Sequence, residues 1–109
     1  MMSITLSGGG HHERYYQRAL SEALLAKKLA FKEQVYAPLR FNGKIIGKNF
    51  FDFLVENKII IEIKKGNRFS TKHINQVLEY LKTSNLKLAI LINFGQYEVS
   101  STRVLNSDL

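Results

Sequence analysis

Asp52, Glu62 and Lys64 stand at a spacing that could gather two carboxylates and a cation on one face. Segments 44–55 and 59–65 are rich in β-branched and aromatic residues and are joined by the polar tripeptide Glu56-Asn57-Lys58, so they read as an antiparallel hairpin. With those residues as the loop, Val55 faces Ile59 and Asp52 falls opposite Glu62. Side chains alternate along a strand, so Lys64 shares the face of Glu62. Like charges directly opposite one another, about 5 Å apart, are destabilising. The neighbours Phe50, Phe51, Phe53, Ile61 and Ile63 want burial, and two carboxylates among them need a cation, or one must keep its proton. Lys64 offers one positive charge. A divalent ion offers more, and oxygen-only ligands suit Mg2+ or Mn2+. The alternative is a solvated strand face with an ordinary Glu–Lys pair, and a two-residue loop would put the carboxylates on opposite faces.

Other polar residues border this hairpin less specifically. Gln76 and Tyr80 are i, i+4 neighbours beside the apolar stripe Ile74, Val77, Leu78 and Leu81, where they either edge a site or form a half-buried boundary. His73, one turn earlier, reads as a surface histidine that could touch a phosphate when protonated. His11-His12 reads as a solvated pair.

The elements that must hold these residues follow from periodicity. Residues 13–30 read as a helix, with Tyr16, Leu20, Ala23 and Leu24 at helical spacing and the stem of Lys27 extending the stripe. A strand over 33–41 contains Pro38, which places it at an edge or at a bulge. Asn42-Gly43 turns it into the strand 44–55, because both residues tolerate positive φ; Gly47 there marks a bulge. After the strand 59–65, Ser70 caps a helix over 71–84 that closes at Asn85. Segment 86–94 is almost continuously apolar, as in a strand covered on both faces, and 97–105 is the last strand. The expected fold is α/β with α+β character, in the order α-β-β-β-α-β-β, a mixed central sheet flanked by helices.

Composition narrows the partners. In 109 residues there are 16 basic and 9 acidic side chains, a net charge of +7, which favours a polyanion such as nucleic acid. The absence of cysteine excludes a disulfide scaffold and thiolate chemistry and fits a cytoplasmic protein. No apolar run reaches the roughly 18 residues that span a bilayer. Residues 1–9 read as a flexible leader, without the features of a signal peptide, and 10–109 as a single domain.

Asp52, nine residues, then Glu62-Ile63-Lys64 resembles the D…(D/E)-x-K core of the PD-(D/E)XK, or restriction-endonuclease-like, nuclease superfamily. Within it, the sequence is similar to the small GxxExxY family: Gly10-His11-His12-Glu13-Arg14-Tyr15-Tyr16 matches the naming motif, and Asp52-Phe53-Leu54-Val55, Gln76-Val77-Leu78-Glu79-Tyr80-Leu81 and Leu91-Ile92-Asn93-Phe94-Gly95 match further blocks in order. The resemblance covers about residues 10–105. It implies a restriction-endonuclease-like core and Mg2+- or Mn2+-dependent hydrolysis of phosphodiester bonds in nucleic acid, DNA foremost. It implies Asp52, Glu62 and Glu13 as metal ligands, with the Ile63 carbonyl nearby. Lys64 would orient or deprotonate the attacking water, and Gln76 and Tyr80 would border the site. The proline that names the superfamily is replaced by Phe50-Phe51 before Asp52.

Lys44, Lys48, Lys65, Arg68 and Lys72 lie on strands or loops flanking the site and are the candidate phosphate contacts. Neither a recognition helix nor a platform of exposed aromatic rings is apparent, so sequence-specific reading has no support. The competing readings are an inactive nucleic-acid-binding module and a structural or interaction protein of the same fold, including a homodimer through the strand 97–105.

Overall fold

The structure is a computed structural model, described here for residues 13–66 and 68–109. The leader expected over residues 1–9, Gly10 and the His11-His12 pair lie outside the described residues. The order is α1 (Glu13–Ala26), β1 (Phe31–Phe41), β2 (Lys44–Val55), β3 (Ile59–Lys65), α2 (Thr71–Thr83), β4 (Leu88–Phe94) and β5 (Val99–Leu105). The strands form one sheet in the order β1-β2-β3-β4-β5. β3 and β4 run parallel and the other neighbours antiparallel, as a helical crossover between β3 and β4 requires.

Each face of the sheet carries one helix. Tyr16, Leu20 and Leu24 of α1 pack on Phe53, Val55, Ile61, Ile63, Ile92 and Phe94. Val77 and Leu81 of α2 pack on Ile60, Ala89, Leu91 and Val104 from the other side. Alternation along β3 therefore sends Ile61 and Ile63 towards α1, and Ile60, Glu62 and Lys64 towards α2. The near-continuous apolar run of β4 is explained by its central place, covered on both faces.

α1 ends earlier than its periodicity suggests. Lys28 has φ +58, and the N–H groups of Lys28 and Leu29 donate to the carbonyls of Leu25 and Leu24 at 2.9 and 3.0 Å. This is a Schellman closure with lysine where glycine is usual, so Lys27 is an exposed residue beyond the helix. α2 closes in the same way at Asn85, φ +58, with Leu86 N–H donating to the Leu81 carbonyl at 2.8 Å. A left-handed conformation costs a side chain about 1 kcal/mol that glycine does not incur. Lys28→Gly is therefore expected to raise stability by about 0.5–1 kcal/mol, read as a higher urea midpoint with an unchanged slope; a lower midpoint would contradict this account of the helix end.

The β1–β2 hairpin turns at Asn42-Gly43, with φ +50 and +75, and its ladder slips by one residue between Leu39 and Arg40, opposite Gly47. Pro38 sits on an edge strand beside this bulge, consistent with its missing N–H. A second irregularity governs the site. Phe31 and Phe53 pack in the α1 core, whereas Val35, Ala37 and Phe51 pack in the α2 core. On a regular strand residues two apart share a face, so both strands turn over between these positions. Gln34, at φ +52, lies at that point, between the pairs Glu33↔Phe53 and Val35↔Phe51. Beyond it the hairpin leaves β3 and lies along α2.

Candidate active site

The carboxylates meet where β2 and β3 part. Backbone pairing runs from Val55↔Ile59 to Phe53↔Ile61 and stops there. The next opposed residues are Asp52 and Glu62, and their side chains replace the ladder. Asp52 N–H donates to Glu62 Oε1 at 2.8 Å, and Ile63 N–H donates to Asp52 Oδ2 at 2.7 Å. Each carboxylate thus takes an N–H freed by the splaying strands, which satisfies backbone donors that would otherwise be buried unpaired.

This position is electrostatically costly. Glu62 is only 7% exposed and Asp52 is half-buried. The Asp52 carboxyl is pushed up from 3.8 to about 8, first by burial, then by the charge of Glu62 and a hydrogen bond shared with it, with a smaller contribution from Glu13; the Ile63 N–H pulls the other way. Burial and the neighbouring Glu62 therefore favour the neutral form of Asp52.

Glu13 and His73 come near this pair, and Lys64 shares the face of Glu62. Glu13, in the first turn of α1, accepts from Lys65 N–H through Oε1 at 2.8 Å. His73, in the first turn of α2, brings Nε2 to 3.2 Å from Glu62 Oε2. The approach is not an aligned N–H···O bond, since the buried Nε2 has no hydrogen-bond partner. The reading of His73 as a surface histidine is therefore corrected: Ser70, whose Oγ accepts from His73 N–H at 3.1 Å, starts α2 so that this side chain lies over Glu62. Lys64 shares the Glu62 face, and its Nζ lies 5.9 Å from the centre of the Phe69 ring.

The remaining candidates are more scattered. Gln76 and Tyr80 line a groove of about 580 Å³ between α2 and the hairpin, with Ala37, Arg40, Asn49 and Lys72 among its walls; Tyr80 meets Phe51 edge-on at 5.0 Å. Lys65 and Arg68 lie at the end of β3 and in the loop after it. Lys48 and Lys44 lie four and eight residues along β2 from Asp52, and Lys44 is at the hairpin tip, roughly 25 Å away at the usual strand rise. The structure does not bring Lys44 to the carboxylates.

Comparison with known proteins shows the family and the fold. The sequence matches the PD-(D/E)XK nuclease superfamily over residues 3–104. The chain belongs to the PD-(D/E)XK nuclease superfamily. Its α+β architecture, a five-stranded mixed sheet between two helices, is the restriction-endonuclease-like fold expected from the sequence. Among solved structures it is similar in fold to SSO0001, with a TM-score of 0.61 and 17% identity over 85% of this chain and 50% of the other. It is also similar to an alkaline exonuclease (LHK-Exo) from Laribacter hongkongensis, with a TM-score of 0.59 and 15% identity over 88% of this chain and 57% of that one. The chain thus spans about half the length of these structures. No curated protein matches it significantly.

The PD-(D/E)XK superfamily implies a divalent metal. Among the described residues, no group of three or more His, Cys, Asp or Glu stands as a ready ligand set, and Glu13 is engaged by Lys65. The donor chemistry nevertheless fits a hard cation: Asp52 and Glu62 are oxygen donors whose mutual repulsion a cation would relieve. No helix of the described residues is long and apolar enough to cross a membrane.

Proposed function

We propose that this protein is a metal-dependent nuclease that hydrolyses phosphodiester bonds in nucleic acid, DNA foremost, in the cytoplasm, and that it falls in the GxxExxY branch of its superfamily. The observation that carries the reading is the Asp52–Glu62 pair at the parting of β2 and β3. A fold without chemistry has no use for two carboxylates set against each other in a half-buried place. Asp52, Glu62 and Glu13, once released from Lys65, would hold Mg2+ or Mn2+, and the ion would supply Lewis-acid activation and neutralise charge at the phosphate. His73 Nε2 lies over the second oxygen of Glu62, 3.2 Å away. Lys64, two residues from Glu62 on the same face, is placed to orient the attacking water and to offset negative charge in the transition state. Lys65, Arg68 and Lys72 are the nearer candidates for phosphate contacts.

The test is cleavage of end-labelled single-stranded and duplex DNA, with matched RNA, in Mg2+, Mn2+ or EDTA, by wild type and Asp52→Asn. Cleavage by wild type only, and only with a cation, is the expected result. Binding without cleavage under every condition would leave an inactive binding module, and no binding at all would leave an interaction protein. Lys64→Gln is expected to lower the cleavage rate about 10²-fold or more while keeping the rise in melting temperature that Mn2+ gives the wild type. Loss of that rise would make Lys64 part of the metal site instead.

A further inference from the structure

The sequence showed no exposed aromatic platform, but the structure has one. Tyr36 and Phe50 are paired across β1 and β2, their ring centres 5.6 Å apart, and they remain 45% and 46% exposed. The turn-over at Gln34 explains this. It sends Val35, Ala37 and Phe51 into the α2 core, so the alternate residues Tyr36 and Phe50 face away from α2. Lys48, paired with Pro38, follows on the same face as Phe50. Asp52 is two residues from Phe50, about 7 Å along the strand, but across the turn-over, so it and the rings do not share a face. Residues 34–51 contain Arg40, Lys44 and Lys48 and no acidic side chain.

We propose that the Tyr36–Phe50 face of the β1–β2 hairpin binds single-stranded nucleic acid, stacking unpaired bases on the two rings while Lys48, and Lys44 further out, meet the phosphates. The proposal rests on the nuclease reading and narrows its substrate to strands with an unpaired stretch. Exposed rings offer their faces only to bases that have left a duplex. The hairpin charge favours a polyanion over a second copy of the chain, because a two-fold contact would set like basic hairpins against each other.

Anisotropy of a fluorescein-labelled oligo(dT) in EDTA, where hydrolysis is stopped, tests this directly. Stacking on an aromatic ring is worth about five- to a hundredfold in affinity per base, so Tyr36→Ala/Phe50→Ala is expected to weaken binding at least tenfold. Tyr36→Leu/Phe50→Leu, which keeps the apolar cover, should do the same, with circular dichroism confirming that both fold. Lys48→Ala should lower the slope of log affinity against log salt by about 0.7. Unchanged affinity in both double variants, equal binding of duplex and single strand, or a dimer in light scattering that the double variants abolish would each overturn the proposal. If wild type cleaves DNA while the ring variants bind normally, the stacking face fails and the nuclease reading stands. If the ring variants lose binding but wild type never cleaves, the nuclease reading fails and the stacking face stands.

Discussion

Asp52→Asn is expected to abolish cleavage, by about 10³-fold or more, and at the same time to stabilise the metal-free protein at neutral and alkaline pH. Asparagine keeps the shape of the protonated carboxyl and an oxygen for the Ile63 N–H. It loses the charge that a metal ion would need and that Glu62 opposes. In the folded wild type the Asp52 carboxyl is raised from 3.8 to about 8, mainly by burial and then by Glu62. The folded state therefore binds this proton more tightly than the unfolded chain does. The stability so contributed is complete below about pH 3.8, declines as pH rises, and is lost once pH passes about 8. The variant has no such group. Melting curves in EDTA should show the two proteins close together near pH 4, wild type falling progressively behind towards pH 8, and a constant gap above that. Added Mn2+ should raise the melting temperature of wild type and leave the variant unmoved. Parallel pH profiles, or a variant less stable than wild type at pH 8, would mean that burial and Glu62 do not raise the Asp52 carboxyl.

This pair was legible in the sequence because a polar tripeptide between two β-prone runs fixes their register, and register brings Asp52 to Glu62. Asn42-Gly43, the Ile74–Leu81 stripe and the doubly covered β4 were legible for similar local reasons. What escaped depends on events that no local pattern records. The ladder stops one pair short of the carboxylates because side-chain oxygens take over its donors. The turn-over of the hairpin hangs on positive φ at Gln34, a residue type with no turn signature, and this is why Phe50, which wants burial by composition, is exposed. His73 reaches Glu62 because the crossover starts α2 close to the end of β3, a contact that local sequence pattern does not record. The early end of α1 is disguised by Lys28 at a position where glycine would have announced it.

The site also depends on a residue of the α1 core. Tyr16 is fully buried, and its ring stacks on Phe94 with centres 4.0 Å apart and planes 17° from parallel. It is the first buried residue of the stripe Tyr16, Leu20, Leu24 that docks α1 on the sheet, and it lies one turn from Glu13. Removing the ring leaves a cavity between α1 and β4, so Tyr16→Ala is expected to cost about 3–5 kcal/mol. At the sensitivity usual for a domain of about this size that is a fall on the order of 15 °C in melting temperature. Tyr16→Phe keeps the stacked ring and should retain the greater part of that stability. The loss should fall unevenly over the molecule. With its anchor gone, the first turn of α1 loosens before the rest of the fold, and the Glu13–Lys65 contact opens with it. Hydrogen exchange read residue by residue would show this as faster exchange of the Lys65 amide in Tyr16→Ala than in Tyr16→Phe, at a temperature where both are folded. A Lys65 amide equally protected in both would mean that Glu13 is held in place without Tyr16, and that the helix start is anchored by its polar contact alone.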